Sequence, residues 1–302
     1  MTSGLEVLPD AAAVARRGAE VVIAQAQAAA AARGVFALAL SGGQTPAPLY
    51  GQLARRDVGG RLPWRRTYVY WVDERCVPPD DPDSNYGMVR HALLDRVDLP
   101  DGNVHRMHGE EAPAEAAAAY EVVLRSPPLG TGVPDAGPAG PEGAAAGPPR
   151  RRSAVAAPGS PRPGATLPGA GGVPDGSGES RLPVFDFVLL GLGADGHTAS
   201  LFPHAEALKE EERLCVATET PDGAQRLSLT LPIINAARQI MFVVTGAEKA
   251  GMVAEVLEGL RIPDSVPAQG VAPRLGEVLW LLDEAAAAEL GGAEEPSTGP
   301  SD

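Results

Sequence analysis

VFDFVLLGLGADGHTASLFP occupies residues 184–203. Its first half is a short apolar run that fits a strand buried on both faces. It stops on Gly191-Leu192-Gly193, and His197 follows at or near the start of a short helix. The same design recurs upstream. Val35 to Leu40 is apolar and leads into Ser41-Gly42-Gly43-Gln44-Thr45-Pro46. TYVYWV (67–72) ends on Asp73-Glu74-Arg75. Three apolar strands thus end on glycine-rich or charged turns.

The intervening text supplies helices. Residues 10–33 form one, with Asp10 as cap and Gly34 at the stop. Thr45 is the expected N-cap, and Pro46 the first residue, of a helix over 46–56. Ser84 caps 85–96, and further helices are expected over 113–125 and 247–258. Strands are expected near 213–218, 226–231, 239–245 and 277–283. Strands alternating with helices predict an α/β fold, a mostly parallel sheet with helices on both faces. Ligands of such sheets bind beyond the carboxyl ends of the strands, so the turns at Ser41, Asp73 and Gly191 are the candidate site.

Residues 126–182 break this pattern. They hold 12 Pro and 13 Gly among 57 residues, with no apolar periodicity. Such a stretch cannot bury enough surface to offset its ordering entropy, and a disordered insertion is expected. Arg150-Arg151-Arg152 within it reads as a solvated charge cluster. A single catalytic domain over 1–290, interrupted by 126–182 and followed by a disordered tail at 291–302, is the expected organisation.

The 302 residues carry a net charge of −14 and 44% hydrophobic residues. That is enough for a sizeable core, and the acidic balance argues against nucleic acid. No run approaches the roughly 18 apolar residues of a membrane span, and the N-terminus lacks a secretion-type apolar region. Cys76 and Cys215 have no redox or metal spacing, so a reduced, cytoplasmic compartment is expected. An acidic surface repels anions at long range, so a phosphorylated ligand would need local Arg and Lys.

The turns supply candidates. Gly42, Gly43 and Thr45 form a backbone cradle for an anion, or simply a tight turn. Arg75 could grip a phosphate as a fork, with Asp73 or Glu74 orienting it or holding a sugar hydroxyl; a surface salt-bridge cluster is the plainer alternative. Free imidazole titrates at about pH 6.5, so a neutral histidine at 197 can take a proton from water, with Asp195 a neighbour that orients the ring or the substrate. Arg226 and Lys249 lie at strand ends and would complete a cationic pocket. His91, His105, His108 and His204 have no metal spacing, and His105 and His108 are expected on the surface. Neither metal nor cofactor is expected. No G-x-S-x-G elbow is present, and Ser200 is expected to cap or pack.

Together these segments resemble the 6-phosphogluconolactonase family. The resemblance rests on LALSGGQTPAPLY (38–50), VDERCVPPDDPDSNYGMVRHALL (72–94), FDFVLLGLGADGHTASLFP (185–203) and RLSLTLPIINAARQIMFVVTGAEKA (226–250), in that order. It implies a Rossmann-like sheet shared with sugar-phosphate isomerases and deaminases. It also implies hydrolysis of 6-phospho-D-glucono-1,5-lactone in the oxidative pentose phosphate pathway. By motif, His197 matches the general base, and Arg75 and Lys249 the phosphate ligands. Gly42, Gly43 and Thr45 match the phosphate-side loop, and Asp73, Asn85, Asp195 and Arg226 line the site. The partner is then a small phosphosugar lactone; a monomer is expected, with weak self-association as the alternative.

Three rival readings discriminate on text. A glucosamine-6-phosphate deaminase relative would read DEY at Asp73-Glu74-Arg75 and HIAFNEP-like text at 197–203. A non-catalytic phosphosugar sensor would keep the cations without needing Asp195 and His197. A scaffold would work through 126–182.

Overall fold

The computed structural model describes residues 3–129, 182–273 and 275–291. The predicted disorder at 126–182 and in the tail at 291–302, together with the Arg150–Arg152 cluster, lies almost wholly outside these residues. The described residues on either side of the insertion belong to one unit.

Seven strands form the main sheet: β1 (Ser3–Leu8), β2 (Phe36–Leu40), β3 (Thr67–Trp71), β5 (Val104–His105), β6 (Phe187–Leu190), β9 (Gln239–Val244) and β10 (Glu277–Asp283). Their order is β1-β10-β9-β6-β2-β3-β5, and every pairing is parallel. All residues of β2, β6 and β9 are buried. Successive strand side chains point to opposite faces, so both faces of the sheet are covered.

The cover includes α1 (Ala11–Arg33), α2 (Ala47–Leu53), α3 (Arg56–Gly59), α4 (Asn85–Ala92), α5 (Pro113–Leu124), α6 (Leu231–Asn235) and α7 (Ala250–Leu257). The caps of α1 form as its sequence dictates. Asp10 accepts the Ala13 N–H at 2.7 Å, and Gly34 ends the helix at φ 80°. Its buried stripe, including Val14, Gly18, Val22 and Ala26, follows the helical period. Ser84 caps α4 by accepting the Gly87 N–H at 3.0 Å. Arg33, at the end of α1, pairs at 2.6 Å with Asp186, just before β6, and Asp186 also accepts the Ala37 N–H at 2.9 Å. This buried carboxylate ties together three elements from the two sides of the insertion.

Several expected elements differ. The strands near 213–218 and 226–231 leave the main sheet as β7 (Cys215–Glu219) and β8 (Gln225–Leu229). They pair antiparallel with each other, and β8 also pairs antiparallel with β4 (Asp73–Arg75). The five residues between them close a hairpin, for which parallel pairing is sterically unavailable. The helix expected over 85–96 ends at Ala92, because Leu93 leaves the helical region (φ −134°, ψ −62°). The helix over 247–258 starts as a 3-10 turn, Ala247–Lys249, before α7. β1 had no counterpart in the sequence reading. His105, expected on the surface, is half-buried in β5 and stacks on Tyr70 at 4.7 Å; burial lowers its pKa. His108 is exposed.

One topological feature positions the site. From β2 the chain builds outward through β3 and β5; from β6 it builds the other way through β9 and β10. β2 and β6 are neighbours, so the sheet reverses direction between them. The crevice beyond their carboxyl ends is where ligands of such sheets bind.

Candidate functional site

A cleft of about 280 Å³ opens at this reversal. It is lined by the 41–46 turn, Asp73, Arg75, Asn85, the 191–194 turn, His197, Thr198, Ala199 and Lys249. The three turns singled out in the sequence therefore meet.

Ser41 joins two of them. Its hydroxyl donates to the Leu189 carbonyl at 2.6 Å, and its own carbonyl accepts the buried Tyr50 hydroxyl at 2.6 Å. Thr45 is not the helix cap that was expected. Pro46, with helical φ −79°, takes that position without a side-chain cap bond, and α2 begins at Ala47. The rigid pyrrolidine enters the helical region one residue early, which leaves Thr45 in the turn lining the cleft. Gly42 packs so tightly on the buried Asn85 that a Cβ would overlap its carboxamide. Asn85 is held from the other side, its Nδ2 donating to the Asp73 carbonyl at 2.9 Å.

Asp73-Glu74-Arg75 is a strand rather than a turn, and its alternation sorts the three charges. Asp73 and Arg75 line the cleft. Glu74 points the other way and is buried, accepting the N–H groups of Arg75, Asn85 and Tyr86 at 2.6–2.8 Å. It anchors the start of α4 and is not among the residues that line the cleft. Arg75 donates to the Asp83 carbonyl. Asp73 accepts the Ser200 hydroxyl at 2.8 Å, and the Ser200 N–H donates to the Ser228 hydroxyl at 3.2 Å. Burial pushes the Asp73 carboxyl above its ordinary value; Ser200, Arg75, His197 and Arg226 pull it back only in part.

His197 does not open a helix. Residues 198–201 form a tight turn closed by Leu201 N–H to Thr198 O at 3.0 Å, with Ala199 at φ 50°. A non-glycine residue there costs about 1–2 kcal/mol, strain held at a turn that shapes the cleft. The ring Nδ1 of His197 lies 2.5 Å from Asp195 Oδ1, which also accepts the His197 N–H at 3.2 Å. The ring packs on Phe202 at 4.7 Å. Burial raises the Asp195 pKa, but the proximity of His197 and that N–H outweigh it, so the carboxyl titrates below its ordinary value. Gly193 donates its N–H to the His197 carbonyl at 2.8 Å. It also lies against the ring, and a Cβ there would collide with the imidazole and with Asp195 Oδ1.

Of the candidate residues, Gly42, Gly43, Thr45, Asp73, Arg75, Asn85, His197 and Lys249 line one cleft. Asp195 stands behind His197. Arg226 is not among the lining residues; it lies directly across the β4–β8 ladder from Arg75. No carboxylate of the described residues lies within 4.0 Å of the side-chain nitrogens of Arg75, Arg226 or Lys249. Two like charges opposite each other on a ladder repel, and an anion between them relieves this. Sequence reasoning missed Ser200 as the partner of Asp73, since the two lie 127 residues apart. Among the described residues no three His, Cys, Asp or Glu side chains group as a metal site. No described helix is long and apolar enough to cross a membrane.

The chain is similar to known proteins over most of its length. A family model described as glucosamine-6-phosphate isomerases/6-phosphogluconolactonase matches residues 9–136 and 164–280. The chain is 38% identical over 291 residues to a 6-phosphogluconolactonase of Nostoc sp., covering 96% of this chain and 99% of that one. A Synechocystis sp. 6-phosphogluconolactonase is 36% identical with the same coverage. Among solved structures, the 6-phosphogluconolactonase of Trypanosoma brucei superposes with a TM-score of 0.70 at 25% identity, covering 96% of this chain and 99% of that one. The chain belongs to the glucosamine-6-phosphate isomerase/6-phosphogluconolactonase family.

Proposed function

We propose that this protein hydrolyses 6-phospho-D-glucono-1,5-lactone to 6-phosphogluconate, with His197 as general base. The observation that carries this reading is the His197–Asp195 pair, 2.5 Å apart, set in the same cleft as Arg75 and Lys249. The phosphate docks on Arg75, Lys249 and the Ser41–Thr45 backbone, with Arg226 adding positive field beside Arg75. That binding fixes the lactone carbonyl against His197. An ionised Asp195 favours the tautomer protonated at Nδ1, leaving Nε2 as the base. His197 takes a proton from water, and the hydroxide oxygen bonds to C1. The carbonyl electron pair moves onto oxygen, stabilised by donors of the glycine turns. Collapse breaks the bond between C1 and the ring oxygen, and that oxygen takes the proton from the imidazolium. Asp73 holds a sugar hydroxyl.

The direct test generates the lactone in situ with glucose-6-phosphate dehydrogenase and follows its decay with and without the protein. Decay at the spontaneous rate in both would remove the proposal. We place the reaction in the cytoplasm, which the free thiols of Cys76 and Cys215 support. We also assign catalysis to a monomer with one catalytic domain over 1–290, in which residues 126–182 are an insertion that hydrolysis does not require; described residues from both sides of it line one cleft.

Two variants probe the anion side. Arg75→Ala should raise KM about 10–100-fold, the loss of one charge-assisted phosphate contact, with a smaller effect on kcat. Its melting temperature should be unchanged or higher, because the repulsion with Arg226 goes with it; an unchanged KM in steady-state assays would take Arg75 out of the phosphate site. Ser200→Ala removes a donor that stabilises the Asp73 anion, so the pKa of Asp73 should rise further. Activity that needs that anion is lost as pH falls, and the acid limb of kcat/KM should move upward in pH. Ser200→Thr, which keeps the hydroxyl, should restore the profile; an unmoved limb would assign Ser200 to packing.

A further inference from the structure

A second concavity, larger than the catalytic cleft, lies elsewhere on the molecule. A groove of about 900 Å³ lies between the segment 53–66, which precedes β3, and residues 95–98, which precede β5. β3 and β5 run parallel to β2, so the groove sits toward the amino ends of these strands, away from the carboxyl-end cleft. The two share no lining residue.

Its charge is opposite to that of the chain. Arg55, Arg56, Arg65, Arg66 and Arg96 line it, against only Asp95 and Asp98, in a protein of net charge −14. The nearby carboxylates are already engaged. Arg55 pairs with Asp57 at 2.7 Å, Arg65 with Asp98 at 3.5 Å, and Asp95 with Arg90 at 3.2 Å. Arg56, Arg66 and Arg96 are exposed, and no carboxylate of the described residues lies within 4.0 Å of their side-chain nitrogens. The floor is firmer than the rim: Leu53, Leu62 and Trp64 are buried, and the Trp64 indole N–H is held on the Gly59 carbonyl at 2.9 Å.

We infer that this groove is a second anion site, which takes an oligophosphate, either free or as the phosphate chain of a nucleotide. Its volume is that of a small-molecule site. Planar guanidinium forks bind phosphate oxygens in pairs, and several converging on one concavity suit a compact multivalent anion. An extended acidic peptide would instead need a long track with side-chain pockets.

The test is calorimetric titration of the full chain with inorganic tripolyphosphate and, separately, with ATP, at low and high salt. Binding of at least one probe is expected, weakening as salt rises. The combined variant Arg56→Ser, Arg66→Ser, Arg96→Ser should lose at least about tenfold in affinity. It should keep its melting temperature and its lactonase kcat/KM. The corresponding triple Lys variant, which keeps the charge, should bind at intermediate strength. Equal affinity for the two probes assigns the phosphate chain as the ligand; a clear preference for ATP assigns a nucleotide. Arg75→Ala must leave this binding intact, since loss there would place the anion in the catalytic cleft and overturn the proposal. No binding of either probe, unchanged binding by the triple Ser variant, or binding of polyglutamate alone would also overturn it. None of these outcomes depends on the lactonase reading.

Discussion

His197→Ala should hydrolyse the lactone at saturating substrate about 10²–10³-fold more slowly than the parent, within the range that general-base assistance supplies. In the proposed mechanism the imidazole acts on the attacking water and not on the phosphate, so KM should change by less than about threefold. Stability should hardly move. The side chain is 32% exposed and rests on Phe202 at the mouth of the cleft, outside the sheet core. The variant should not fall to the spontaneous rate, because in the proposed mechanism Arg75, Lys249 and the glycine-turn donors would still position and polarise the lactone. Asp195→Asn should lose less than His197→Ala: the ring stays, but the tautomer that exposes Nε2 is no longer enforced. Stopped-flow or coupled assays corrected for spontaneous decay measure all three. Full turnover by His197→Ala would remove the residue from the mechanism, whatever its geometry.

That residue was legible in the sequence because its surroundings are local. A buried strand, a Gly-x-Gly turn, Asp195 and His197 lie within about a dozen residues, and chain connectivity alone sets them at one strand end. The same holds for Asp10, Gly34 and Ser84, whose capping bonds span three or four residues. β2, β6 and β9 were legible as uninterrupted apolar runs, the mark of strands covered on both faces.

What escaped depends on distant partners. β1 is a half-exposed edge strand, with Leu5 and Val7 49% and 47% exposed, and among the described residues its ladder is with β10 near the other end of the chain. β7 and β8 were seen as strands, but an apolar period does not say which sheet a strand joins. The signal that could have placed them is Thr220-Pro221-Asp222-Gly223, a hairpin turn closed by the Gly223 N–H on the Thr220 carbonyl at 2.8 Å. Recognising that hairpin would have removed both strands from the parallel sheet and made β4 their third member. With Asp73-Glu74-Arg75 read as a strand, alternation would have divided its charges and sent Glu74 inward. Ser200 meets Asp73 only through that small sheet, so no local pattern could announce the pair.

Gly193→Ala should cost nearly as much activity as losing His197, about 10²-fold in kcat, while leaving the fold intact. The position does not need glycine for its backbone, since its φ is not in the left-handed region that Gly196 occupies. It needs glycine for space. A methyl there would meet Nδ1 and Cε1 of His197 and Oδ1 of Asp195. These are tips of side chains 32% and 42% exposed, free to swing outward, so the overlap is relieved by breaking the 2.5 Å pair rather than by moving the strand. The base would then be present but misplaced, and a displacement near 1 Å is enough for a loss of this size. The melting temperature should fall by only a few degrees, the effect of about 1 kcal/mol or less. KM should stay close to the parent value, since Arg75 and Lys249 are untouched. Combining Gly193→Ala with His197→Ala separates the explanations. If the methyl acts by displacing the imidazole, the double variant should be no slower than His197→Ala alone. If the losses multiply, the methyl disturbs the glycine turn itself, beyond displacing the imidazole.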